Sequence, residues 1–340
     1  MSGTGVSHAL IAERLFDGEH WHRDTCVLLE GERISAIVPR YGLPDTPPYP
    51  LTACKTLAPG FIDLQVNGGG GVLFNGDPRP ETVRQMALGH RRAGTTAILP
   101  TLISDTPEVQ RAGVEAVAAA IADGSAGILG VHIEGPFFAP PRRGTHKADM
   151  IRTPDAADIG WLKSIAGFPV ILTLAPEQLQ PGLLEELAAA DIIVCAGHTD
   201  ATYEQIQAAI KAGLRGFTHL FNAMSPLQAR APGVVGAALE DTATWAGIIA
   251  DGYHVHPATL RLAWRTKTRG KLFLVSDAMA TVGSDDDGFD LYGERITVHE
   301  GKLINAEGVL AGSAIGLIDA VRTTHEKVGL PLDECLRMAS

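Results

Sequence analysis

From Pro59 onward, short apolar runs alternate with longer stretches of helical period. The runs at 61–66, 97–99, 128–133, 170–174, 192–195, 216–218, 246–249 and 272–275 read as strands. Between them, segments such as 81–92, 107–122, 181–190, 203–212 and 257–268 read as helices. Several of these begin at or just after Ser, Thr, Asp or Pro, residues that favour helix N-termini. Strand–helix alternation predicts a parallel sheet and an α/β fold. Eight repeats over this length predict a closed (β/α)8 TIM-like barrel. An open doubly wound sheet is the weaker alternative, because no GxGxxG follows the first strand.

The pattern before Pro59 is different. Residues 26–30 and 33–38 are β-rich and meet at Gly31-Glu32, which predicts a hairpin. Residues 41–50 are proline-rich and predict a loop. The expected division is therefore 1–58, part of a small β domain, and 59–340, the barrel. Beyond the eighth strand, 284–288 is a short acidic loop. Residues 295–299 and 302–304 predict a second hairpin around Glu300-Gly301, inserted late in the barrel domain. A helix over 315–328 follows, then another from Leu332.

Composition narrows the function classes. The chain has 340 residues, 45% of them hydrophobic and 20% charged, as in ordinary globular proteins. A net charge of −11 argues against a nucleic-acid-coating surface. An anionic substrate remains compatible, because one or two local Arg or His groups can hold a phosphate. The four cysteines lie far apart with no CxxC pair, which fits reduced thiols in the cytoplasm better than a disulfide framework. The chain shows neither a secretory signal pattern nor an apolar run of membrane-spanning length, so a cytoplasmic, non-membrane protein is expected.

The candidate chemistry sits just past the strand ends. The third run ends in VHIEGPFF, placing Glu134 at its tip. A carboxylate in so apolar a stretch needs a partner or a metal. His132 alternates with Glu134 and is left unassigned, and His146 lies in the polar loop that follows. The fifth and sixth runs lead to His198 and His219, the seventh to Asp251, His254 and His256, and the eighth to Asp277. Each is weak alone: Glu134 fits a buried salt bridge equally well, and the glycines at 68–71 fit a flexible loop. Together they match a metal hydrolase, in which imidazoles and a carboxylate bind Zn2+ with one position open to water. A separate carboxylate would shuttle the proton.

The segments APGFIDLQVNGGGG, HIEGPFF, AGHTDAT, THLFNAM, ADGYHVHP, LVSDA and LAGSA occur in this order from Pro59 to the end of the chain. Together they resemble the N-acetylglucosamine-6-phosphate deacetylase family of the amidohydrolase superfamily. The resemblance implies a (β/α)8 barrel with a small β-sandwich from the chain ends, whose closing strands would lie beyond Ser340. It implies metal ligands at Glu134, His198 and His219 and a catalytic carboxylate at Asp277. His146 and His254 would hold the acetamide or sugar hydroxyls. Asn222, Ala223 and Arg230 would meet the phosphate. Many amidohydrolases carry His-x-His after the first strand, where this chain has Gln65 and Asn67, poor ligands for a transition metal. The Gln-x-Asn subgroup uses one metal, so one divalent ion per subunit is expected, Zn2+ first and Fe2+, Co2+ or Mn2+ as alternatives. A homodimer is also implied.

The leading expectation is hydrolysis of the acetamide of N-acetylglucosamine 6-phosphate to glucosamine 6-phosphate and acetate. The galactosamine epimer, or another N-acyl sugar phosphate, is the close alternative. A non-catalytic sugar-phosphate-binding barrel and a metal-free barrel isomerase are the readings from other classes.

Overall fold

A computed structural model describes residues 5–340, which divide into two compact units. The smaller unit holds the described residues up to Gly60, together with Pro331–Met338 and Ser340. Its four-stranded sheet runs, edge to edge, Arg33–Pro39, Trp21–Glu30, His8–Phe16 and Leu51–Leu57. The hairpin turns at Gly31-Glu32, as the sequence predicts. The loop after it opens with a single 3-10 turn, Arg40–Gly42. Ala12, Leu15 and Val27 form its core, with Leu10, Leu29, Cys54 and Leu57 packed on them. The C-terminal helix Leu332–Arg337 groups with this unit, not with the barrel.

The larger unit, Phe61–Leu330, is built on eight parallel strands. In order these are Phe61–Val66, Thr95–Leu102, Val131–Glu134, Val170–Leu174, Ile192–Ala196, Gly216–Phe217, Trp245–Ile249 and Leu272–Val275. Neighbours in sequence pair throughout. The first and eighth meet through the Val66–Ala278 bridge and the Asp277 N–H bond to Gln65 O at 3.0 Å, which closes the (β/α)8 barrel. Among the described residues, no helix is long and apolar enough to cross a membrane.

The barrel interior changes character along its axis. Leu99, Ile171 and Cys195 make an apolar layer with Leu64 packed against it. Next, toward the C-terminal strand ends, comes a polar layer. His132 Nδ1 donates to Leu64 O at 3.0 Å, and its Nε2 meets Thr173 Oγ1 at 2.7 Å. Thr173 continues to Thr218 Oγ1 at 2.6 Å. His132, unassigned from sequence, is thus a satisfied buried group beneath the site. Burial pushes its pKa down to about 4, so it is neutral.

The late hairpin is part of a three-stranded antiparallel sheet, Gly288–Leu291, Glu294–His299 and Lys302–Ile304. It packs on the barrel rim: Phe289, Leu291, Ile296 and Leu303 share one apolar cluster with Ile103 and Met279. Two tyrosines fasten it. Tyr292 OH donates to Ser104 O and Tyr253 OH to Glu300 O, each at 2.6 Å. The helix expected over 315–328 runs as an α-helix only over Leu317–Thr323, then widens into one π turn, Thr324–Val328.

Candidate active site

Three side chains from three strand ends converge. Glu134 ends the third strand, His198 lies two residues past the fifth, and His219 two past the sixth. Their ligand atoms all lie within 4.8 Å of one another and all three residues are buried. Glu134 Oε1 stands 3.3 Å from His198 Nε2 and 3.0 Å from His219 Nε2, and the two Nε2 atoms are 3.0 Å apart.

The local sequence makes this possible. Gly197 brings the backbone against the fourth strand: a Cβ there would lie 2.6 Å from Thr173 Cγ2. His198 (φ 50°), His219 (φ 34°) and Asp277 (φ 52°) then all adopt left-handed backbone. Non-glycine residues in that region cost about 1–3 kcal/mol each and persist where their surroundings hold them. Here the surroundings do so. Leu220 N–H donates to Gly247 O at 2.7 Å, and Thr199 N–H to Ala223 O at 3.1 Å. Thr202 and Gln205 form a capping box that fixes where the next helix starts. The Ser of the LAGSA segment holds the eighth-strand loop: Ser313 N–H donates to Asp277 O at 2.9 Å, and its hydroxyl to Ser276 O at 2.5 Å.

Hydrogen-bond partners assign the imidazole protons. His198 Nδ1 faces Arg142 O at 2.8 Å, so it must donate, and its Nε2 turns a lone pair toward Glu134. His146 is opposite in sense. The Ser104 backbone N–H donates to its Nδ1 at 3.2 Å, with the Ser104 hydroxyl 2.8 Å away. The proton of His146 therefore sits on Nε2. Burial, then the charge of His198, pushes its pKa down to about 3, so it is a neutral donor. His254 Nδ1 donates to Asp251 Oδ2 at 2.6 Å, which leaves Nε2 to accept.

The carboxylates are distinguished by their environment. Burial works against ionisation of Glu134, but the imidazoles of His198 and His219 beside it hold it well below the usual range. Burial, then the charge of Glu134, raises Asp277 to about 6. Asn67 Nδ2 donates to Asp277 Oδ1 at 2.6 Å, and Gln65 Nε2 to the same oxygen at 3.3 Å and to Glu134 Oε1 at 3.0 Å.

A cavity of about 200 Å3 gathers most of the residues singled out in the sequence. Asn67, Glu134, His146, His198, His219, Asn222, Ala223, His254 and Asp277 all line it. Gln65 lies just behind, bonded to both carboxylates. Arg230 is exposed and outside the lining. His256 instead caps the helix Pro257–Thr266. The sequence reading missed Ser104, whose role rests on a contact 42 residues away in the chain, and the apolar lining residues Ile103, Met279, Leu291 and Leu310.

The chain matches the Amidohydrolase family over residues 56–340. It belongs to the amidohydrolases. One relative, the N-acetylgalactosamine-6-phosphate deacetylase of Shewanella sp. (strain ANA-3), is 43% identical over 297 residues, 87% of this chain and 75% of that protein. The N-acetylglucosamine-6-phosphate deacetylase of Haemophilus influenzae is 34% identical over 330 residues, covering 94% of this chain and 84% of that protein. The crystal structure of N-acetylglucosamine-6-phosphate deacetylase from Pasteurella multocida superimposes with a TM-score of 0.91 at 34% identity, covering 98% of this chain and 87% of that one. A divalent metal follows from membership of this amidohydrolase family, and the Glu134, His198, His219 cluster fits one. The lone pair of His198 Nε2 faces a carboxylate oxygen at 3.3 Å, a contact that a cation between them makes favourable.

Proposed function

We propose that this amidohydrolase removes the acetyl group from an N-acetylated amino-sugar 6-phosphate, giving the amino-sugar phosphate and acetate. The observation that carries the reading is the meeting of two carboxylates in opposite electrostatic settings. Glu134 is ionised and faces two imidazoles, while Asp277, raised to about 6, is held through one oxygen by two amides. One is placed to hold a cation and the other to move a proton.

Glu134, His198 and His219 would hold one divalent ion, Zn2+ by the choice of two imidazoles and a carboxylate; when bound, it supplies Lewis acidity, lowering the pKa of water and polarising the amide carbonyl. Asp277 takes a proton from the attacking water and passes it to the amine nitrogen as the C–N bond breaks. Its Oδ1 is fixed by Asn67 and Gln65, so Oδ2 is the oxygen that carries the proton. His146, a neutral Nε2–H donor, stabilises the charge that develops on the carbonyl oxygen. His254 accepts a sugar hydroxyl through Nε2. Asn222 and the left-handed turn at Ala223 receive the phosphate end. Arg230, exposed on the chain, would add its charge to the phosphate within a homodimer that places the phosphate site near the subunit interface.

Sugar stereochemistry admits two readings. N-acetylglucosamine 6-phosphate is the first, in line with the Haemophilus and Pasteurella proteins. The 43% identity to an N-acetylgalactosamine-6-phosphate deacetylase favours the epimer as the second. All cysteines found in the structure are free thiols, which fits a cytoplasmic place for the enzyme. The test is acetate release from both epimers by metal-replete protein. Binding without acetate release would favour a non-catalytic sugar-phosphate barrel instead.

A further inference from the structure

The cavity lining has two unlike sets of side chains. The first is Glu134, His146, His198, His219, His254 and Asp277; the second, an apolar wall, is Ile103, Met279 and Leu291, which share one cluster, with Leu310 and Ile249. The mechanism above uses none of the second. We infer that the second is the acyl subsite, and that Met279 and Leu291 set how long an N-acyl chain the enzyme accepts. This rests on the deacetylase reading and extends it to the choice of acyl group.

Connectivity puts the apolar wall beside the reacting atoms. Met279 stands two residues beyond Asp277, and Ser313 ties the two together: its O accepts from Met279 N–H at 3.1 Å, and its N–H donates to Asp277 O at 2.9 Å. Ile103 immediately precedes Ser104, which orients His146. Asp277 and His146 serve the nitrogen and oxygen of one amide. The first carbon of the acyl chain, the methyl of an acetyl group, is one bond from that amide's carbonyl carbon, so it lies beside the same two residues. Asn222 and Ala223 come from the sixth-strand loop and serve the far end of the substrate. An acyl chain has no hydrogen-bonding group beyond its carbonyl, and the apolar wall is the surface that matches it.

The wall is also firm. Met279 and Leu291 are 3% and 7% exposed and belong to the cluster built on Phe289, Ile296 and Leu303. Gly312 presses on Met279 so closely that a Cβ there would lie 2.5 Å from Met279 Cγ. Tyr292 and Tyr253 hold the sheet behind the wall in place. A pocket that cannot widen excludes longer chains. A single methylene in such a pocket changes kcat/KM by about 10–200-fold.

The test compares N-acetyl, N-propionyl and N-butyryl amino-sugar 6-phosphates as substrates for the wild type, Leu291→Ala and Met279→Ala, with metal content measured alongside. The quantity read is the ratio of kcat/KM between acyl chains, which a loss of folded protein does not move. The wild type is expected to prefer acetyl. Each variant is expected to shift the propionyl-to-acetyl ratio toward the longer chain by at least about tenfold. Leu303→Val, in the same cluster but outside the lining, is expected to leave the ratio unchanged. An unchanged ratio in both lining variants, with acetate still released, overturns the inference. If the wild type hydrolyses none of the three, the deacetylase reading itself fails.

Discussion

The end of the first barrel strand and the ends of the third, fifth and sixth occupy equivalent places on the same rim, yet they carry opposite chemistry. Glu134, His198 and His219 point acceptor atoms at a common centre. Gln65 and Asn67 instead point amide N–H groups at the carboxylates of Glu134 and Asp277. A second cation could also balance those carboxylates, but here neutral amides satisfy them with N–H donors and ligate no metal. The barrel supplies the position and side-chain chemistry decides its use. On this contrast rests the proposal of one metal centre with a separate proton carrier.

The contrast breaks most severely at the ligand side. His198→Ala removes one of the three proposed protein ligands, and the protein should lose stoichiometric metal and its activity with it. Full occupancy in this variant, read by elemental analysis, would remove His198 from the centre. Asp277→Asn attacks the other side. It should retain metal while kcat drops by about 10²–10⁴-fold, the range for a positioned acid–base group. Near-normal turnover would mean the proton travels elsewhere.

Asn67→Ala probes the link between the two regions. Asp277 must be ionised to act as base, so kcat/KM should rise with pH up to about 6 and then level, with a bound cation moving that limb to lower pH. The bond from Asn67 lowers the pKa of Asp277, so removing it should move the limb upward and cost about tenfold in kcat, the lower end of the cost of losing an outer partner. A limb that stays in place would show that Asn67 does not tune Asp277. The smallest effect belongs to Arg230→Ala, which should raise KM a few-fold for the phosphorylated sugar and leave the unphosphorylated one unchanged. Equal effects on both would take Arg230 away from the phosphate.

The barrel was readable because its strands are short, apolar and regularly spaced. The runs at 61–66, 170–174 and 272–275 coincide with observed strands. Where the pattern is weak, the reading fails. Leu51–Leu57 pairs along a sheet edge with mostly exposed side chains, so no alternation marks it as a strand. Gly233–Glu240 forms a helix although it begins Gly-Val-Val-Gly and buries six residues in a row, a run with no helical period. In the site, residue types at strand ends were legible because each needs a partner when buried. The left-handed backbone at His198, His219 and Asp277 was not, because none of these is glycine. Nor was the role of Ser104 or Leu291, since the folded chain alone brings the second strand's loop and the late sheet to the same cavity.

The proposed site has a single metal centre beside a separate proton carrier. Elemental analysis of purified, active protein, scaled to acetate-releasing sites, tests it most directly. One divalent ion per chain is the predicted result. Two ions per chain, with Gln65 and Asn67 intact, or full acetate release by metal-free protein, would contradict it.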